Sequence, residues 1–247
     1  MEIREYAESL LSSAALADKL RQPPRLTDAQ PGPALEEVTY PARPPGLALD
    51  DPRPRARFPN AEQMSDPRRR GEVLHFFANH ELLALELMAL TLLRFPNAES
   101  AFRKALVATM RDEQRHLSLY LDRMKGLGVS FGDLPVNAFF WNAIADVRSP
   151  MDFTVRMSLT FEQANLDFSQ HFLTRFEALG DLESAAIMRE VLKDEIAHVA
   201  HGVRFFSRWK PPKISMWTAY CDALASPDLR VRLHAIRQLE GREKPEA

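Results

Sequence analysis

The sequence predicts an all-α protein built around a four-helix bundle with one long crossover. Apolar residues recur at helical spacing in four long segments between residues 71 and 209, and no stretch of useful length alternates like a strand. Helix breakers leave two short connections and one long one. Short connections make antiparallel neighbours, and the stretch 128–149 is long enough to return along the bundle. Three parts follow: an N-terminal helix and proline-rich arm over 1–66, the bundle over 67–210, and a C-terminal helical extension over 211–247.

Residues 2–20 are helix-compatible, with Ile3, Ala7, Leu10, Leu11 and Ala14 on one side. Eleven of the eighteen prolines then fall between Pro23 and Pro67, which excludes a regular helix or a central strand there. This composition fits a disordered linker. It fits equally an extended arm lying on the bundle, because Leu26, Val38, Tyr40, Leu47, Leu49 and Phe58 give it something to bury. The first bundle helix runs from Gly71 to about Phe95, stopped by Pro96-Asn97. The second covers about Ala98 to Leu127, ended by Gly126 and Gly128, and a short helix is expected near 136–146 in the crossover. The third spans about Pro150 to Leu179, and the fourth Leu182 to Trp209, closed by Pro211-Pro212. A last helical stretch is expected over 214–240 with a break at Ser226-Pro227.

The bundle region contains an internal near-repeat. Glu81 and Glu162 each precede an Arg-Phe pair at the same distance, Arg94-Phe95 and Arg175-Phe176. Asp112-Glu113-Gln114-Arg115-His116 matches Asp194-Glu195-Ile196-Ala197-His198. The order is therefore Glu, Glu-x-x-His, Glu, Glu-x-x-His. Residues i and i+3 of a helix share one side about a turn apart, so each Glu-x-x-His offers a carboxylate and an imidazole to one point. Each of these acids lies mid-stripe among apolar residues: Glu81 between Phe77 and Leu85, Glu113 between Thr109 and Tyr120, Glu162 between Leu159 and Leu166, Glu195 between Val191 and Gly202. Converging buried carboxylates repel one another, and dications remove the repulsion.

Glu81, Glu113, His116, Glu162, Glu195 and His198 are accordingly the expected ligands of a two-metal site, the pattern of di-iron and di-manganese carboxylate bundles. Oxygen and nitrogen donors suit two irons, two manganese ions or one of each. Asp112 and Asp194 are placed to orient the imidazoles, and His80 and His201 adjoin the ligand turns. Glu86 and Asp167, five residues past Glu81 and Glu162, lie about 140° away around the helix and suggest a paired structural role.

These residues resemble a bacterial ferritin-like family of unknown function. The likeness lies in Leu74-His75 with Asn79-His80-Glu81, in Gly132-Asp133-Leu134-Pro135, in Glu162 to Asp167, and in Asp194 to Val199 with Gly202 and Arg204-Phe205-Phe206. It covers about 60–210 and extends weakly to Pro41-Ala42-Arg43-Pro44. More distantly, Asp112 to His116 is similar to the Asp/Glu-Glu-x-Arg-His motif of tRNA-modifying di-iron hydroxylases. Ala197 departs from that motif, as does Gln163-Ala164-Asn165 where Ala-Arg-Gly is expected.

The resemblance implies a ferritin-like fold and a di-iron carboxylate oxidase or oxygenase that uses dioxygen on an organic substrate. The alternatives are a binding or structural protein with a vestigial site, and iron storage, for which the arm and C-terminal extension make a closed shell awkward. The substrate is expected to be a small molecule the sequence does not name. An external electron donor is expected, because no Rossmann glycine motif or iron–sulfur cysteine set is present. A net charge of −2 without a long basic stripe argues against a nucleic-acid partner. A homodimer stays open. One cysteine, no signal-type start and no run of about 18 apolar residues make a cytoplasmic protein without a membrane span the expectation.

Overall fold

The computed structural model describes residues 1–37 and 39–224, and among these the chain is all-helical, without a named strand. Two short helices, α1 (Ile3–Ser12) and α2 (Leu16–Leu20), precede the arm. A 3₁₀ turn (Gln63–Ser65) leads into α3 (Pro67–Arg94). Then come α4 (Ser100–Gly126), α5 (Phe139–Ile144), α6 (Pro150–Arg156), a π-helical segment (Met157–Glu162), α7 (Gln163–Ala178), α8 (Leu182–Trp209) and α9 (Met216–Ala223). The helix expected from Gly71 starts four residues earlier, because Asp66 caps it by accepting from the Arg68 amide at 2.9 Å and Pro67 needs no amide partner at the first position. The remainder of the stretch expected over 214–240, including the break at Ser226-Pro227, lies outside the described residues.

α3 packs on α4, and α7 on α8; α8 then joins the two pairs by lying against α4 and the π segment. The residue expected to stop the third helix does so: Gly180, at φ +72°, turns the chain so that the Asp181 amide reaches the Phe176 carbonyl at 2.9 Å. Asp181 then caps α8 through the Ser184 amide and accepts from Arg70 and Arg123, each at 2.7 Å. One buried carboxylate thus ties the starts of α3 and α8 to the end of α4 and sets their relative depth.

The third helix is not the continuous rod expected over 150–179. It passes through a π turn immediately before Glu162. Thr160 donates its hydroxyl to the Val155 carbonyl at 2.8 Å, helping to satisfy the widened turn. Facing it, Gly202 lets α8 approach closely: a Cβ there would lie 2.4 Å from Ser158 Cβ.

α3 is buried almost all round, which explains why its sequence is more apolar than one core-facing stripe requires. It is the one described helix long and apolar enough to cross a membrane, and nearly all of that stretch lies inside the protein. α1 and α5 cover the sides that α4 leaves free. The arm is the extended type: Leu47 is buried, the Leu35 amide donates to the Leu93 carbonyl at 3.0 Å, and Ala42 donates to Leu11 at 2.8 Å. Asp28 takes two hydrogen bonds from buried Arg103 at 2.7 and 2.8 Å. Val38 lies outside the described residues.

The strongest tether is ionic. Glu86, fully buried on α3, accepts from Lys19 at 2.8 Å and from Arg43 at 2.6 Å, and all three side chains are out of solvent. Lys19 also donates to the Leu10 carbonyl at 2.6 Å, and Arg43 to Asn79 at 3.0 Å. Burial lowers the Lys19 pKa, and Glu86 opposes that shift. Of the two acids expected to share a structural role between helices, Glu86 is buried on α3 and Asp167 is exposed on α7.

Candidate metal centre

Six donors from α3, α4, the π segment and α8 converge inside the protein: Glu81, Glu113, His116, Glu162, Glu195 and His198, all buried. Each arrives from a helix whose neighbouring positions are apolar, so the fold that buries Phe77, Leu117, Phe161 and Val191 must also bury the acids between them. Ligand-type atoms of Glu81, Glu113, His116 and Glu195 lie within 4.8 Å of one another, as do those of Glu113, Glu162 and His198. The two imidazole rings are 6.3 Å apart, centre to centre.

The imidazoles are held from behind. His116 Nε2 lies 3.1 Å from Asp194 Oδ2, and His198 Nε2 lies 3.2 Å from Asp112 Oδ2. The arrangement is crossed: each aspartate orients the histidine of the other Glu-x-x-His. Arg115 donates to Asp112 at 2.7 Å and to Asp194 at 2.8 Å, and also pairs with Glu190. One arginine therefore serves both halves, and Ala197 at the equivalent position of α8 leaves neither aspartate without it. With Nε2 turned to a carboxylate, each Nδ1 faces inward, where loss of its proton would leave a lone pair for a metal ion.

That inward side lacks protein partners among the described residues. His116 Nδ1, His198 Nδ1 and one oxygen each of Glu113, Glu162 and Glu195 are buried without a hydrogen bond. His116 Nδ1 is 3.5 Å from Glu113, and His198 Nδ1 is 3.6 Å from both Glu113 and Glu195. Buried polar atoms are normally paired, and five unpaired ones aimed at one volume fit a cationic ligand.

The electrostatics agree. Burial, reinforced by Glu113, Glu195 and Glu162, pushes Glu81 well above the usual carboxylate range. Burial and the Glu195 charge push Glu162 up to about 8. Burial also raises Glu195. At Glu113 burial acts upward, but the facing imidazoles of His116 and His198 and the adjacent Glu81 carboxyl outweigh it and hold the carboxyl below its ordinary value. Burial opposes charge on His198, yet Asp112, Glu195 and the other carboxylates raise it to about 11. Protons on Glu81, Glu162 and the imidazoles thus offset the crowded negative charge where dications would otherwise do so. Asp112 is held down at about 2, chiefly by its hydrogen bond with His198.

The other expected residues fall apart in space. His201 lines a small void with Ser158 and His198, its Nδ1 buried without a partner. His80 faces a different space, a cavity of about 650 Å³ whose inner end is formed by Glu81, Glu113, Glu162 and Glu195. Its imidazole stacks on Phe140 at 4.6 Å, and burial lowers its pKa to about 4. His75 takes no part: its Nε2 accepts from the Gly132 amide at 3.0 Å, a structural bond that fixes the crossover.

Two partners escaped the sequence reading. Asn165 donates to Glu195 at 2.7 Å, and its position, three past Glu162, is the signal that could have found it. Tyr120, one helical turn past His116, is fully buried with its hydroxyl 3.6 Å from Met188 Sδ. Burial, reinforced by Glu81, Glu195 and Glu113, raises its pKa far beyond the phenolic value.

An all-helical protein with a buried carboxylate–imidazole cluster able to hold metal is the class these observations define. The chain belongs to the family described as protein of unknown function (DUF455), which it matches over residues 4–244. It is 29% identical over 143 residues to an uncharacterized protein of Haemophilus influenzae, a match covering 54% of this chain and 49% of that protein. The chain thus spans about half the length of that curated relative. No solved structure matches.

Proposed function

We propose that this protein is a ferritin-like four-helix bundle holding a dinuclear metal centre, and that it oxidises an organic substrate with dioxygen. The observation that carries the reading is the convergence of four carboxylates and two imidazoles, with unpartnered donor atoms facing inward on Glu113, Glu162, Glu195 and both histidines. Glu81, Glu113 and His116 would hold one ion, and Glu162, Glu195 and His198 the other. Glu195 also lies within reach of the first group and Glu113 of the second, which suits both to bridging. Two irons, two manganese ions or one of each would supply the capacity to activate dioxygen.

The chain's own contribution is positional and electrostatic. Asp112, Asp194 and Arg115 fix the imidazole tautomers and ring planes. Asn165 holds one Glu195 oxygen and leaves the other free. Phenylalanines of the adjoining cavity give the carboxylates a largely apolar wall on that side. That cavity favours an enzyme over iron storage, because storage needs no substrate-sized apolar chamber beside the ions. Electrons would come from a separate reductase.

The test is rapid mixing of anaerobically loaded ferrous protein with dioxygen. The reading expects oxygen uptake with a transient visible absorption, both lost in a Glu113→Ala, Glu195→Ala double variant. A ferrous protein that consumes no oxygen would remove the oxidase reading.

A further inference from the structure

We infer that the 650 Å³ cavity is the substrate site and that it takes an uncharged, largely apolar molecule bearing an aromatic ring. Calling this molecule a substrate rests on the proposed oxidation centre; its chemical class rests on the cavity alone.

Position comes first. The chamber runs from an exposed rim at Phe58, Phe168 and His171 inward to Glu81 and Glu162, so a molecule filling it abuts the centre. Its size falls within the range of about 300–1,000 Å³ that encloses a drug-sized ligand. Next is the wall chemistry. Phe77, Phe140, Phe161 and Phe172 surround the space and meet edge-on or tilted. Such rings present faces and edges that favour another ring. Two phenylalanines reach the rim, Phe58 and Phe168, each more than two-fifths exposed.

Charge then narrows the class. Among the described residues no lysine or arginine lines the chamber, whereas carboxylates stand at its inner end and Asp167 stands among the lining residues. A phosphate, sulfate or carboxylate group would be desolvated there without a cation, which is costly. One neutral polar group can be met. His80 stacks on Phe140 and makes no hydrogen bond to a described residue, so its ring nitrogens are available to a hydroxyl or similar group.

The test is titration of the full chain at neutral pH with 2-naphthol, and with 2-naphthoate as its anionic counterpart. Both as-purified and chelator-treated protein are used. The expected result is saturable one-to-one binding of 2-naphthol in both forms, at least about tenfold tighter than 2-naphthoate. Ala164→Trp, a bulky change at an exposed lining position, weakens 2-naphthol by at least about tenfold without unfolding the chain. His80→Phe weakens 2-naphthol but not naphthalene. Absence of saturable binding, preference for 2-naphthoate, or indifference to Ala164→Trp each overturns the inference. Naphthol binding by a protein that takes up no metal would uphold the cavity's chemistry and sink the oxidation reading instead.

Discussion

Replacing Lys19 by methionine removes one of the two cations that neutralise Glu86 in the interior. Glu86 keeps Arg43 at 2.6 Å but loses its 2.8 Å partner, and the Leu10 carbonyl loses its donor. All three charged side chains are out of solvent, so water does not compensate. Breaking such a buried group by deleting one member costs about 3–5 kcal/mol. In a chain of this size that lowers the melting temperature by roughly 10 °C. Urea unfolding should show a lower midpoint, and limited proteolysis should cut the arm near residues 21–45 first, because Lys19 and Arg43 bracket it. Replacing the whole group with apolar residues (Lys19→Met, Arg43→Leu, Glu86→Leu) leaves no stranded charge and should recover most of the loss. A Lys19→Met cost below about 1 kcal/mol, or a triple variant less stable than the single, would refute the claim that this ion group pins the arm.

Gly202→Ala puts a methyl where only 2.4 Å separates it from Ser158 Cβ, so stability should fall by about 1–3 kcal/mol and Ser158→Gly should restore part of it; calorimetry of the double variant decides. Asp112→Asn or Asp194→Asn removes the carboxylate behind one imidazole and should weaken metal binding about 10–100-fold in chelator competition, with the fold intact. The pH response has a definite sign. Glu162 is raised from 4.5 to about 8 and His198 from 6.5 to about 11, so the metal-free native state holds more protons than the unfolded chain across those windows. Metal-free protein therefore loses stability as pH rises through them, while metal ions, which replace those protons, bind more tightly. The melting-temperature gap between loaded and metal-free protein should widen from pH 6 to pH 8; a gap that narrows contradicts the assignment.

Much of this architecture is legible in the sequence because it depends on periodicity and punctuation. Pro96-Asn97, Gly180-Asp181 and Pro211-Pro212 end helices where they stand. The six acids and imidazoles could be grouped because each sits at an i, i+3 or mid-stripe position that helical geometry turns inward. The π turn was not legible. It inserts no breaker residue and depends on Thr160 and on Gly202 of a distant helix, a contact that local pattern does not encode. The crossed pairing of Asp112 with His198 likewise needs the depth of α4 relative to α8, which Asp181 sets through Arg70 and Arg123. The arm's order was undecidable from composition, since proline content forbids helix without saying whether Leu47 finds a cover. Its answer lies in Lys19 and Arg43, cations whose partner sits on a helix 43 or more residues away.

The most direct measurement is metal content by mass spectrometry on protein purified without added metal, paired with anomalous diffraction to locate the ions. Two ions per chain between residues 81, 113, 116, 162, 195 and 198, each in contact with one imidazole Nδ1, is the expected result. Crystals grown with excess ferrous or manganous ion that show no anomalous peak within reach of those six side chains would contradict it.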